Sequence, residues 1–483
     1  MSSVRLDSAT SDEPAYIAAG MIKLLHGRLD FFRDQPPLMN SLTAAPLVMA
    51  GYRMPPIWTI SGNHWGIGKL LLFVSGYDSN TMLFLARLPT IALFVALCWA
   101  VYLFVLSQTG SGNWALFAFA LTGFCPTVMA HGRLATVDVP AAFFSFVSAA
   151  SFIRLLERPS LAAAAGAGAA AGAAVLTKTS ANILGPYFLL LLLVALWRGT
   201  VDRRRIAVLA VVAAVVAGAF IWVFIFAEGS EAYAAASFPG LPRIAVPFAE
   251  YTANIRAIHG WYTRGADNPQ FLLGRFSNEG WLHYYPVAML LKMTIPAMAI
   301  LAAALVLAAA RRRMTFAAVS CLLFAALFLG IAAAGELALG IRYILPIFPF
   351  LFAAAAIVLS TAPRRLVMAA VALLVWHGAE NLRAWPSYIS YFNQLIGSHR
   401  NADRYLIDSN LDWGQDLLRL DRWLREEGVE EVAIHYFGGG VPQFDLQARV
   451  VGGYGAGGRA LPAGSWFALS RHLYRVSFSP AVS

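Results

Sequence analysis

Long apolar runs fill most of this chain and leave it few folds to choose from. Ten stretches come close to the roughly 20 apolar residues that a helix needs to cross a bilayer. They are 83–106, 114–131, 136–154, 161–176, 182–197, 206–227, 285–309, 315–334, 341–360 and 365–380, with the fourth, fifth and tenth short or weak. Leu38–Met49 is also apolar, but it is short and flanked by prolines, which suits an interfacial or re-entrant helix. With 59% hydrophobic and only 13% charged residues, the chain is read as an integral membrane protein. Its 36 Lys and Arg against 26 Asp and Glu therefore point to basic turns at a membrane face rather than to nucleic acid. Cys98, Cys125 and Cys321 each sit inside an apolar run, with neither disulfide nor metal-site spacing. Met1–Thr10 has no apolar segment of the kind a secretory signal carries.

Charge in the turns sets an orientation. If the acidic residues near the start lie outside, the inside turns are 107–113, 154–160, 198–205, 310–314 and 361–365. They hold Arg154, Arg158, Arg198, Arg203, Arg204, Arg205, Arg311, Arg312, Arg313, Arg364 and Arg365. The short outside turns hold only Arg133, Lys178 and Arg342, as the positive-inside rule requires. The expected organisation is an outer acidic loop with amphipathic or interfacial helices over 1–82 and a transmembrane bundle over 83–385. The bundle carries a large outer loop, 228–284, and an extracytoplasmic α/β domain covers 386–483. Met1–Ser11 is too short to cross a bilayer, so the acidic stretch reaches the outside only with a span upstream or by translocation of the N-terminus. The first is the expectation, with the chain read as a truncated gene product.

The segment after 385 changes character. Arg404–Asn410 is expected as a strand, and Trp413, Leu417, Leu420 and Leu424 form an apolar stripe of helical period that Gly428 ends. Val432–Phe437 reads as the next strand. The glycines at 438–440 and 452–458 make turns but a poor phosphate loop, since no helix follows them.

Against this apolar background the exceptional charges stand out. Asp12 and Glu13 open a helix-like run. His131, Arg133 and Asp138 share one outer turn, Lys178 and Arg342 sit in two others, and Lys292 lies roughly 10 Å inside the outer end of the 285–309 span. Each has an ordinary alternative: Asp12 and Asp138 as helix caps, Lys178 and Arg342 as snorkelling cations, His131 as an interfacial histidine, and Trp281, Tyr284 and Tyr285 as an aromatic belt. An intramembrane cation such as Lys292 is harder to dismiss. Together, cations at the outer rim suit a lipid-linked phosphate, and a facing carboxylate suits proton removal from a hydroxyl. The same placement also fits a lipid transporter.

The motifs resemble those of the GT-C membrane glycosyltransferases, in the protein O-mannosyltransferase and aminoarabinose transferase group of phospholipid carrier-dependent enzymes. The matching residues are Asp12-Glu13 with Tyr16, Gln35-Pro36-Pro37-Leu38, Ala130 to Pro140, Leu176-Thr177-Lys178, Leu291-Lys292, Gly340 to Pro349 and Asp408 to Asp416. The resemblance implies an α-helical polytopic fold with a small extracytoplasmic α/β domain. It also implies inverting transfer of a sugar from a polyprenyl-phosphate carrier to a hydroxyl acceptor (glycan, lipid or protein) at the outer face of a bacterial cytoplasmic membrane. By the resemblance, Asp12 is the general base with Glu13 beside it, and Asp138 is the second acidic residue of the site. Arg342, Lys178 and Lys292 bind the donor phosphate, and Tyr16, His131, Arg133 and Tyr343 line the site. A divalent cation is left open, with His131 and Glu279 as candidate ligands. A first span before the acidic pair is normal for the group. The alternatives are a flippase or transporter of lipid-linked sugars, whose polar groups should run through both leaflets, and an inactive relative.

Overall fold

The structure, a computed structural model, describes residues 2–56, 63–199, 202–264, 270–311, 314–335, 338–452 and 464–478. Arg312, Arg313 and the glycine-rich stretch from 453 to 458 lie outside the described residues.

Three helices precede the bundle: α1 (Glu13–His26), α2 (Pro37–Met49) and α3 (His64–Phe73). Pro14 and Pro37 fall at the first turns of α1 and α2, where their missing N–H costs nothing. The bundle follows as α4 (Ser79–Thr109), α5 (Gly112–Gly123), α6 (Pro126–His131), α7 (Asp138–Glu157), α8 (Leu161–Thr177), α9 (Leu184–Trp197) and α10 (Arg203–Glu228). Polar caps start these helices: Asp78 accepts the Thr81 N–H, Ser160 that of Ala163 and Asp202 that of Arg205. The loop to 283 holds α11 (Glu231–Ser237), α12 (Val246–Arg264) and a hairpin of β1 (Gln270–Leu272) with β2 (Arg275–Ser277). Arg33 grips Glu250 of α12 with two bonds, 2.7 and 3.1 Å, and so ties this loop to the segment ahead of α2. The bundle closes with α13 (Tyr284–Lys292), α14 (Ile295–Arg311), α15 (Phe316–Ala334), α16 (Ile347–Leu359) and α17 (Arg364–Ala384).

All ten apolar stretches are helical, but fewer make uninterrupted spans. Among the described residues, five helices are long and apolar enough to cross a membrane: Ser79–Thr109, Asp138–Glu157, Thr179–Trp197, Arg203–Glu228 and Phe316–Ala334. The expected span 285–309 breaks after Lys292, and α13 and α14 meet at 116°, counting at most as a sixth span. The 114–131 stretch is divided ahead of Pro126, and 341–360 yields its first turn to a 3-10 segment, Ile341–Ile344, before Pro346. Hydropathy counts apolar residues and is blind to the proline and glycine breaks that put irregular backbone near a site. The described arginines of the expected inside turns, including Arg154, Arg198, Arg204 and Arg364, are exposed. They lie at the helix ends remote from Asp138 and Lys178, which start α7 and follow α8.

The tail forms the expected α/β unit with α18 (Leu417–Glu426), β3 (Glu431–His435), α19 (Pro442–Asp445), β4 (Arg449–Gly452), β5 (Trp466–Leu469) and α20 (Arg471–Phe478). Its parallel sheet has the order β4-β3-β5. The strand expected at 404–410 is absent. Two 3-10 turns, His399–Arg404 and Asp408–Asn410, take its place, because Asp408 adopts a φ of 58° that no strand allows. Tyr284 and Tyr285 are buried, not belt residues; the Tyr284 hydroxyl accepts from Asn410 Nδ2 at 3.1 Å.

Helix α8 packs on α10 through Gly168 and Gly172, a small-xxx-small stripe. A Cβ at Gly168 would overlap the Ala213 carbonyl, and one at Gly172 would press on that of Ala217. Gly168→Leu should therefore lower the thermal midpoint of the detergent-solubilised protein, at a cost of at least about 1–3 kcal/mol for overpacking. Gly166→Leu, whose added Cβ would have ample room, should leave the midpoint nearly unchanged.

Candidate active site

The site is assembled at the start of α1, and a buried arginine seats it. Arg87, about two turns from the polar end of α4, is fully buried and uses every N–H it has. Nε and Nη2 hold the two oxygens of Glu13 at 2.7 and 2.8 Å. The remaining donors take the carbonyls of Val4, Asp7 and Ser8 at 2.7–2.9 Å. Glu13 also accepts the amides of Thr10 and Ala135 at 2.9 and 2.8 Å. Burial alone would raise the Glu13 pKa, but Arg87 and these N–H groups outweigh it and hold the carboxyl below its ordinary value. This corrects the reading of Glu13 as a catalytic acid. Its lone pairs are committed, and it does not line the cavity described below.

Arg133 is likewise a clamp and not a lining residue. It reaches Asp7 at 2.6 Å and the Ser3 and Pro386 carbonyls at 3.1 and 3.2 Å. Arg419 of α18 bonds the other Asp7 oxygen, so the tail is locked onto the acidic loop. Backbone bonds from Ser8 to the Gln415 carbonyl and from Ser11 to the Trp413 carbonyl, both 3.0 Å, finish that seam.

Asp12, next to Glu13, turns the other way, into a cavity of about 280 Å³. Arg342 Nη1 holds Asp12 Oδ2 at 2.9 Å, and the Tyr16 hydroxyl lies 3.5 Å from the same oxygen. Burial pushes the Asp12 carboxyl above its ordinary value, against the pull of Arg342. Arg342 is fixed by Ser409 Oγ at 3.2 Å from its Nε and by the indole of Trp413, 4.3 Å beneath the guanidinium. Lys178 Nζ bonds Asp138 Oδ1 at 2.6 Å and sits 4.7 Å over the ring of Tyr343. Asp138 Oδ2 lies 3.7 Å from Arg342 Nη1. Asp138, expected as the second acidic residue of the site, is fully buried behind the two cations and holds them together without lining the cavity. Tyr16, Lys178, Arg342 and Tyr343 do line it, as do Phe32, Asp34, Trp65, Asp408 and His472, to which no role was assigned from sequence, and Trp413, expected in a helical stripe but lying ahead of α18.

Tyr343 has a second neighbour. It also lines an apolar groove of about 520 Å³ walled by Ile183 and Pro186 near α9, Ile255 and Ile258 of α12, and Phe328 and Ile331 of α15. A polar cavity and a greasy groove thus share one tyrosine.

Residues 79–222 match the family model described as dolichyl-phosphate-mannose-protein mannosyltransferase. No curated protein sequence matches the chain. Among solved structures, ArnT from Cupriavidus metallidurans bound to undecaprenyl phosphate is 15% identical, covering 93% of this chain and 83% of that one, with a TM-score of 0.52. Its apo form gives a TM-score of 0.51, also at 15% identity, over 93% of this chain and 82% of that one. The archaeal oligosaccharyltransferase AglB from Archaeoglobus fulgidus, with an inhibitory peptide and a dolichol-phosphate, is 14% identical over 88% of this chain, with a TM-score of 0.49. The chain spans only 56% of that protein. The chain therefore has the GT-C fold that ArnT shows.

Within the GT-C fold two expected site residues lie elsewhere. Lys292 does not reach the cavity: its ammonium is caged by the carbonyls of Ile389, Tyr391 and Asn410, all within 2.8 Å, and stacks on Phe392. It ties the α13 break to the tail, so it is a structural cation and not a phosphate ligand. His131 is buried edge-on against Trp413, ring centroids 6.0 Å apart, and also stays out of the cavity. Glu279 sits beyond β2, and among the described residues no three His, Cys, Asp or Glu side chains cluster as a metal site.

Glu13→Ala should cost about 3–5 kcal/mol of stability, because it strands a buried guanidinium. Asp12→Asn should leave stability nearly unchanged. Thermal and chemical unfolding in detergent separate the two; equal losses would overturn the division of labour between the neighbouring acids.

Proposed function

We propose that the protein transfers a sugar from a polyprenyl-phosphate carrier to a hydroxyl acceptor, at the outer face of a bacterial cytoplasmic membrane. The observation that carries this reading is Tyr343, shared by a cavity holding Asp12, Arg342 and Lys178 and by an apolar groove. The groove suits a prenyl tail and the cavity its sugar-phosphate head. At about 280 Å³ the cavity sits at the low end of ligand sites, which run to roughly 300–1,000 Å³, and it suits a single sugar ring better than an oligosaccharide.

In this reading Asp12 takes the proton of the acceptor hydroxyl as its oxygen attacks the anomeric carbon. The bond from that carbon to the phosphate oxygen breaks on the opposite face, which inverts the anomeric centre. The leaving phosphate carries the electron pair and is met by Arg342 and Lys178. Arg342 Nη2 makes no hydrogen bond among the described residues, and two of the three Lys178 donors are unused by Asp138, so both can serve an incoming phosphate. ArnT was solved with undecaprenyl phosphate, a ligand of the chemistry proposed here. The clustering of ion pairs on one rim also favours transfer over transport.

The test is release of free polyprenyl phosphate from a panel of polyprenyl-phosphate sugars. Asp12→Asn should lower kcat by about 10²–10⁴-fold while donor binding is retained. Arg342→Ala should weaken donor binding; unchanged affinity would remove it from the phosphate site. Asp12 must be ionised to act, and its carboxyl is raised, so activity should be lost as pH falls through a value above the ordinary Asp pKa of about 3.9. An acid limb below that value in kcat/KM would exclude Asp12 as the base.

A further inference from the structure

In the tail segment Asp408 to Asp416, Ser409 and Trp413 fix Arg342, but Asp408, which forms one wall of the cavity with Trp413, has no part in the chemistry above. Three carboxylates of known partnership surround the cavity. Asp12 is held by Arg342, Asp138 lies behind Lys178, and Asp34 has His64 at 3.5 Å. Asp408 differs from all of them. Among the described residues its carboxylate receives only the N–H of its own neighbour Ser409, and no cation reaches it.

Its backbone is also in the left-handed region, with φ 58°, one of two such non-glycine residues among those described. Asp tolerates this region better than most residues, but it is uncommon and needs a surrounding that imposes it. That surrounding is present. Ser409 Oγ donates to the Leu339 carbonyl at 2.9 Å and accepts from Arg342 Nε. Asn410 accepts the Ile341 N–H at 2.9 Å and donates to the Tyr284 hydroxyl and the Ile407 carbonyl, each at 3.1 Å. Its own carbonyl caps Lys292. Gly340 has φ 151°, and a side chain there would collide with Ser409 Oγ. The loop is thus over-determined on both sides of Asp408, and what it fixes is a carboxylate at the cavity wall, one residue from the side chain that grips Arg342.

We propose that Asp408 is a sugar-recognition residue, accepting hydrogen bonds from hydroxyls of the donor's sugar ring. The inference rests on the glycosyl-transfer reading above. The donor phosphate at Arg342 and Lys178 sets the sugar in the cavity between Asp12 and the tail wall. A carboxylate without a counter-cation there is satisfied by water when the site is empty and by sugar hydroxyls when it is filled. Arg342 and Asp408 are coupled through Ser409, so the phosphate and the ring are read by adjoining parts of one loop.

The experiment compares wild type, Asp408→Asn and Asp408→Gly. It measures KM for the glycosylated donor, the inhibition constant of sugar-free undecaprenyl phosphate, and thermal midpoint. Asn retains the tolerance for this backbone region, and Gly adopts it freely. Both variants should raise donor KM by about tenfold or more, with the inhibition constant of the sugar-free carrier unchanged. An unchanged KM, or a KM and an inhibition constant that rise together, would overturn the proposal. If wild type transfers no sugar, the reaction reading fails. Equilibrium binding of the glycosylated and sugar-free carriers to wild type and Asp408→Asn then decides Asp408 separately: selective loss of the glycosylated ligand supports it, and equal affinities refute it.

Discussion

Everything around the cavity depends on how a single guanidinium is satisfied. Arg87 sits near one end of an otherwise apolar 31-residue helix, where an unpaired cation would be untenable. Five N–H groups need acceptors, and the chain from Val4 to Glu13 supplies all of them. Folding that segment around Arg87 determines the direction of α1, and the helix start then points adjacent carboxylates in opposite directions. Glu13 is spent on structure, and Asp12 is left facing the cavity. A buried pair of this kind adds little net stability, because desolvation offsets most of the attraction. Its value lies in geometry.

The centre repeats this arrangement on a smaller scale. Lys178 and Arg342 come from turns distant in sequence and would repel each other; Asp138 between them makes their proximity tolerable. Aromatic faces supply the rest of the support, with Tyr343 under both cations and Trp413 under Arg342. The tail contributes as much as the bundle, since Ser409 and Trp413 position a cation that the bundle's own turn presents. A unit that reads as an appendage is in fact half of the site's frame.

The architecture was legible in the sequence because a bilayer imposes a crude rule, and apolar runs with arginine-rich turns obey it. Asp12, Lys178, Arg342, Tyr16 and Tyr343 were legible through motifs. What was not legible depended on direction. Glu13 and Asp12 are neighbours of equal chemistry, and only the position of Arg87 tells which faces inward. Arg87 itself carried a signal, a lone charge within a long apolar run, the same signal that singled out Lys292. Lys292 misled because its run is not one helix: the bend after it brings the carbonyls of a remote loop to its ammonium. The strand expected at 404–410 failed for a related reason, since side-chain bonds across nearly 70 residues outweigh local propensity there.

Tyr343 stands where two environments meet, lining both the polar pocket and the apolar groove. On the proposed reading, the donor reaches the pocket sideways, from within the plane of the bilayer, while the acceptor arrives from above. The two substrates are then counted in different units, one as molecules per area of membrane and the other as molecules per volume of water. Diluting the lipid would starve the protein of its donor without any change in the test tube's nominal concentration. The spent carrier, still immersed by its tail, would leave by the route it came in.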